Sequence, residues 1–113
     1  MDHAAIKAFC DALPGATFER PFGEDTDCWK VGGKIFALMA ATSDRVSLKC
    51  ADAQIAEMLI SVGRAGKAPY LPRGGWIAVS LTDTPEGELK ERLLESYQTV
   101  RASLPRRVQA ALD

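Results

Sequence analysis

Apolar residues recur along this chain at two periods, and the changes of period divide it into elements. Ile6, Phe9, Cys10 and Leu13 fall at i, i+3, i+4 and i+7. That spacing predicts a helix over about Asp2 to Leu13, N-capped by Asp2 and ended by Pro14-Gly15. The period then drops to two. Thr17 to Arg20 reads as a short strand stopped by Pro21, and Glu24-Asp25-Thr26-Asp27 as a polar turn. Cys28–Val31 and Lys34–Ala40 read as strands joined by Gly32-Gly33. A two-residue Gly-Gly link is a hairpin signal, because primed turns need the positive φ that glycine reaches cheaply. Arg45 to Cys50 alternates strictly and predicts a half-buried strand. A second helix follows over about Asp52 to Val62, with Ile55, Leu59 and Val62 facing inward.

Residues 63–75 form the longest irregular stretch. Trp76 to Leu81 then alternates as another strand. Thr84-Pro85 is expected to cap and start the last long helix, since proline suits the first helical position. Leu89, Leu93, Tyr97, Val100 and Leu104 make its inward stripe. Pro105 breaks it, leaving a terminal turn over Arg106 to Leu112. Strands joined by short turns are antiparallel, and helices interspersed among them stack on one face. The expected fold is therefore α+β: a two-layer sandwich of about five antiparallel strands with helices on one face, a single domain over 1–113.

Composition changes this picture little. The hydrophobic share of 47% and charged share of 26% are ordinary for a globular chain. A chain of 113 residues can build a core without metal or disulfide. Cys10, Cys28 and Cys50 are odd in number and sit in apolar patterns, which suits buried free thiols. With no apolar run of membrane-spanning length and no signal segment, the expected location is cytoplasmic, without membrane contact. Net charge is −1, but it is unevenly spread. Residues 1–27 carry two basic and six acidic side chains, and residues 28–76 carry seven basic and three acidic ones. The whole chain is no strong polyanion binder, yet its middle can present a local basic surface.

Catalytic chemistry is not legible. His3 is the one histidine and lies at the terminus, which removes most His-based acid–base and Cys–His schemes and ordinary catalytic zinc sites. Cys28 and Cys50 have no evident base, so buried cysteine is the default. Glu24, Asp25 and Asp27 read as an exposed acidic turn, because no oxygen ligands follow at calcium-loop spacing. Gly63-Arg64-Ala65-Gly66 has GxxG spacing but runs into Pro69 rather than a second helix. Gly66-Lys67-Ala68 lacks both the first glycine and the hydroxyl of a P-loop. No metal, cofactor or enzymatic activity is expected.

The alternation of the last two clear strands points to a surface. Val46, Leu48 and Cys50 share one face with Ile77, Val79 and Leu81, under the helices. The opposite face then displays Arg45, Ser47, Lys49, Trp76, Ala78 and Ser80. A tryptophan beside lysine and arginine can stack a base and hold a phosphate. It is equally consistent with a half-exposed tryptophan whose rim is covered by lysine stems. Lys30 and Lys34 flank the hairpin tip, where charge serves either a phosphate contact or solubility. Arg73 is a similar basic tip. Phe22, Trp29 and Phe36 are expected to serve packing.

Pro14-Gly15-Ala16, Pro21-Phe22-Gly23, Lys30 to Ala37, Ser47 to Cys50, Trp76, Ser96-Tyr97 and Leu104-Pro105 together resemble the MmcQ/YjbR family of small bacterial proteins, in its order and over nearly the whole chain. The resemblance implies an α+β fold like that of frataxin-type or secretion-chaperone-type domains. It also implies DNA as partner, the label the family commonly carries. One departure stands out. Many relatives have a polar, His- and Lys-containing run before the late tryptophan, whereas Tyr70 to Trp76 is shorter and holds one charge, Arg73. The expectation is a non-enzymatic binding module in which Lys30, Lys34, Arg45, Lys49 and Arg73 contact phosphates and Trp76 stacks. The competing expectation is a protein-interaction or chaperone-like domain, self-association included, on the same face.

Overall fold

A computed structural model describes residues 1–69, 71 and 74–112. Its elements are α1 (His3–Asp11), β1 (Ala16–Glu19), β2 (Thr26–Val31), β3 (Lys34–Ala40), β4 (Arg45–Lys49), α2 (Ala53–Ser61), β5 (Gly66–Lys67), β6 (Trp76–Ser80), α3 (Glu86–Ala102) and α4 (Arg106–Ala111). The strands form one antiparallel sheet in the order β1-β2-β3-β4-β6-β5. The α+β sandwich is as the pattern predicts, with six strands rather than about five. The additional one, β5, lies inside the stretch that reads as irregular. Two residues with one glycine carry no periodicity, and only pairing with Ala78 and Ile77 makes them a strand.

Helices α1, α2 and α3 cover one face. Ile6 and Cys10, Ala56 and Leu59, and Leu89, Leu93, Tyr97 and Val100 pack on Trp29, Val31, Phe36, Val46, Leu48, Ile77 and Val79 in a single core. Each fully buried side chain of leucine or phenylalanine size contributes roughly 2 to 3 kcal/mol. Asp2 caps α1 through a bond from the Ala5 amide at 2.8 Å, and Asp52 caps α2 through the Ile55 amide at 2.9 Å. Two helix-end expectations fail. Val62 faces solvent, because α2 stops at Ser61 and Val62, its C-cap, leads into Gly63 at φ 77°. Pro85, not Thr84, occupies the α3 cap position, and no side chain caps that helix.

The β2–β3 hairpin turns at Gly32 and Gly33, with φ of 57° and 83°, both in the region a type I′ turn requires. A Cβ on Gly32 would also strike Leu104, so the tip is seated against the end of α3. One irregularity shapes the hairpin. Trp29 pairs with Ala37, but Lys30 pairs with Ile35, leaving Phe36 as a bulge. The bulge turns Phe36 and Ala37 both into the core and sends Ile35 to the other face. It also frees the Phe36 carbonyl, which accepts a 2.5 Å hydrogen bond from the buried Ser96 hydroxyl of α3. Ser96 Oγ in turn accepts from the Lys49 amide at 2.8 Å. One hydroxyl thus ties the bulge to the end of β4.

Candidate nucleic-acid interface

The face away from the helices carries Thr26, Cys28 and Lys30 from β2, Ile35, Leu38 and Ala40 from β3, Arg45, Ser47 and Lys49 from β4, and Trp76, Ala78 and Ser80 from β6. Cross-strand pairs Cys28–Leu38, Leu38–Ser47 and Ser47–Ala78 fix this register. The face is not open, as the alternation alone suggests. Ser47 and Ala78 are buried, 7% and 4% exposed, as are Cys28 and Leu38. Two residues that follow β5 lie against this face: Pro69 shares a hollow with Leu38, Ser47 and Ala78, and Leu71 shares another with Phe22, Ile35 and Leu38. Alternation tells which face a residue takes but not what crosses it.

Four of the six sequence candidates meet at one end of this face. Lys30, Lys34, Lys49 and Trp76 line a cleft of about 450 Å³, completed by Gly33, Ile35, Val100 and Ser103. Lys49 sits directly opposite Trp76 across the β4–β6 ladder. Lys34 and Lys49 have no carboxylate partner among the described residues. Lys30 is different: its ammonium lies 2.9 Å from Glu19 of β1, and that hydrogen bond raises its pKa. The pairing fixes the Lys30 head beside the cleft while offsetting part of its charge.

Arg45 is not part of this group. It pairs with Ser80 at the far end of β4, four residues from Lys49, or about 13 Å along a strand. Arg73 lies outside the described residues. Several contributors carry weak signals in the sequence. Ser96 occupies a position in the buried stripe of α3, seven after Leu89, where a polar residue needs a partner. Glu19 shares the outward alternation of β1 with Thr17, which pairs with Lys30. Arg106 and Arg107 begin α4 two and three residues after Leu104, the residue seated against the hairpin tip, and so add cations to this end. The negative end of α3 is blunted there, because Gln109 Nε2 donates to the Ala102 and Leu104 carbonyls.

His3 and the three cysteines are engaged or buried away from this cleft. His3 is half-buried, its Nε2 2.7 Å from the Ser43 carbonyl oxygen, so the terminal helix is anchored rather than loose. All three cysteines are buried free thiols. Burial pushes the pKa of Cys10 up to about 12, with Asp11 adding to the effect, and raises Cys28 and Cys50 for the same first reason. Phe22, expected to pack, is instead 63% exposed at the rim of the Ile35–Leu38–Leu71 hollow. The turn that Pro21 and Gly23 make carries it outward. Among the described residues no group of three His, Cys, Asp or Glu side chains could hold a metal ion, and no helix is long and apolar enough to cross a membrane.

The model of the YjbR family matches residues 11–99, a span holding the whole sheet and the lysine cleft up to Trp76. The chain belongs to the YjbR family. Its fold is also that of a solved structure, the crystal structure of Deinococcus radiodurans protein DR2400, a DUF419 domain. The two align with a TM-score of 0.86 at 28% identity, over 96% of this chain and 86% of that one. No curated protein sequence matches the chain.

Proposed function

We propose that this YjbR-family chain is a non-enzymatic binding module that holds a nucleic-acid backbone at the Lys30–Trp76 end of its sheet, with DNA as the partner the family resemblance implies. The observation that carries the reading is the gathering of Lys30, Lys34 and Lys49 around one half-buried tryptophan in a single cleft. Lysine ammoniums supply the salt-sensitive phosphate term, and an indole supplies a stacking surface of any sequence. A non-enzymatic role is supported by the described residues, none of which is an activated nucleophile or base. The thiols are held protonated at neutral pH, and the histidine ring is engaged by a backbone carbonyl. Buried unpaired thiols also suit a reducing compartment, and we place the protein in the cytoplasm.

The test is a tryptophan-fluorescence titration with duplex and single-stranded DNA at low salt. Three lysine contacts give a slope of log affinity against log salt of about −3 on duplex and about −2 on a single strand. Lys49→Glu combined with Trp76→Ala should abolish binding. No binding to either form at low salt, or binding unchanged in the double variant, would sink the reading. A second reading, protein interaction or self-association, is favoured by one specific observation. Exposed Phe22 stands beside an apolar hollow of about 340 Å³ lined by Thr26, Ile35, Leu38 and Leu71. Light scattering across a concentration series tests its homodimer form, which a monomer at every concentration would exclude.

A further inference from the structure

The tryptophan of the lysine cleft is chemically incomplete. Trp76 is half-buried, and its indole N–H has no hydrogen-bond partner among the described residues, although it still reaches solvent. An indole held in a fold ordinarily completes that donor, as Trp29 does on Asp11 at 3.0 Å. Gly74 stands beside the same edge of the ring. A Cβ there would lie 3.9 Å from Trp76 Cδ1 and 4.0 Å from Nε1. With no side chain at 74, the N–H edge keeps open space beside it.

The surroundings suit an unstacked base and not a base pair. The cleft, of about 450 Å³, has the size of a small-molecule pocket, and Ile35 and Val100 give it apolar lining. A duplex keeps its base faces inside the stack. Its bases reach an indole in a cleft only by flipping out, at the cost of unpairing. Duplex readers instead send a helix or a β-ribbon into a groove. The β2–β3 tip is not free to do so, since Gly32 is seated against Leu104.

Charge points the same way. Lys34 and Lys49 have no carboxylate partner among the described residues, whereas Lys30 shares its charge with Glu19. Two or three such cations are few beside the roughly six to ten phosphate contacts of a strong duplex binder. Stacking of one base multiplies affinity roughly fivefold to a hundredfold, and an unpaired base has that surface to give.

We infer that the cleft takes single-stranded DNA in preference to duplex. One base stacks on Trp76, an acceptor from the strand meets the indole N–H, and flanking phosphates meet Lys34 and Lys49. This assignment deepens the nucleic-acid reading of the cleft and rests on it.

Fluorescence anisotropy tests the two separately, with three labelled DNAs of equal length at one low salt concentration: an oligothymidine, an abasic strand and a duplex. The abasic strand keeps every phosphate and lacks every base. Oligothymidine should bind at least about fivefold tighter than either of the others. Trp76→Ala should lower oligothymidine to the abasic level, and Trp76→Phe should recover most of the preference, because a phenyl ring still stacks. An abasic strand or a duplex bound as tightly as oligothymidine would overturn the single-strand assignment and leave the nucleic-acid reading standing. So would an oligothymidine affinity indifferent to Trp76→Ala. No binding by any of the three would remove both.

Discussion

Two tryptophans stand on the same sheet and face opposite ways. Trp29 is fully buried under the helices, its indole N–H donating to Asp11 at 3.0 Å and its ring tilted against Phe18 at 5.5 Å. Trp76 is half-buried on the other face, with Lys49 opposite it and a cleft in front. Both belong to strands with alternating pattern, and sequence gives each the same propensity. What differs is the company. One face is closed by apolar stripes from three helices. The other carries Pro69 and Leu71 against its middle, with a basic cleft at one end and Arg45 at the other. Stability lives on the first face, and the recognition we propose is on the second.

The sharpest way to break that contrast is to truncate each tryptophan in turn. Trp29→Ala removes a buried ring and leaves Asp11 without its indole partner, so it should cost about 3 to 5 kcal/mol in urea unfolding. Trp76→Ala should cost about 1 kcal/mol, since much of its surface stays in water when folded. Equal costs would show that Trp76 is a core residue, and the cleft would then have no stacking surface.

Ser96 joins the two faces, and its removal comes next in size. Ser96→Ala leaves the Phe36 carbonyl and the Lys49 amide without their partner. At about 1 kcal/mol or more for each orphaned group, the loss should be about 2 kcal/mol by denaturant melt. Because β3 and β4 pair only at Ala37–Leu48 and Leu38–Ser47, the splayed end should loosen further. Hydrogen exchange at Lys49 should quicken more than at Val46. Uniform acceleration along β4 would mean that Ser96 does not pin this end.

The helix face was legible in the residues because burial there is local: period two in β4 and β6, period 3.6 in α1 and α3. The hairpin was legible because Gly32-Gly33 has one cheap use. The far face was not, because what lies over Ser47 and Ala78 comes from a connection with no periodicity. Four candidates converged because they sit at strand ends near one tip. Arg45 was grouped with them by face alone, and four residues of strand length separate it from Lys49. Phe22, an aromatic between proline and glycine, has the pattern of a packing residue, but its turn carries it into solvent. The bulge at Phe36 depends on a serine sixty residues away, which no local pattern encodes.

A pH series sharpens the contrast between the faces at smaller amplitude. Cys10 on the core side and Cys28 on the other both have raised pKa, first because of burial. The folded state therefore prefers the neutral thiols. That preference is fully present below the unfolded thiol range, near about 8.5, and is lost as pH rises beyond it. For Cys10 the loss continues until about pH 12. Lys30 acts in the same direction, because its bond to Glu19 holds the proton and is lost only at higher pH. The Tm should hold steady near neutrality and fall progressively above about pH 9. In Cys10→Ala the alkaline fall should be shallower, whatever the variant's starting Tm. An identical alkaline slope would remove Cys10 from this account.

The smallest expected effect is the most discriminating for the far face. Phe22 is 63% exposed, so Phe22→Ser removes little buried surface, and its stability should shift by no more than about 0.5 kcal/mol. If the hollow beside it is only a gap between Leu71 and the sheet, nothing else changes either. If it is an interaction surface, Phe22→Ser should abolish any concentration-dependent association seen by light scattering while leaving the melt untouched. The cleft lies on the other side of Ile35, which alone among the described residues borders both spaces. DNA titration of Phe22→Ser should therefore match the unmodified chain. Loss of nucleic-acid binding with intact stability would merge hollow and cleft into one surface, and the division of this face into separate ends would fail at Ile35.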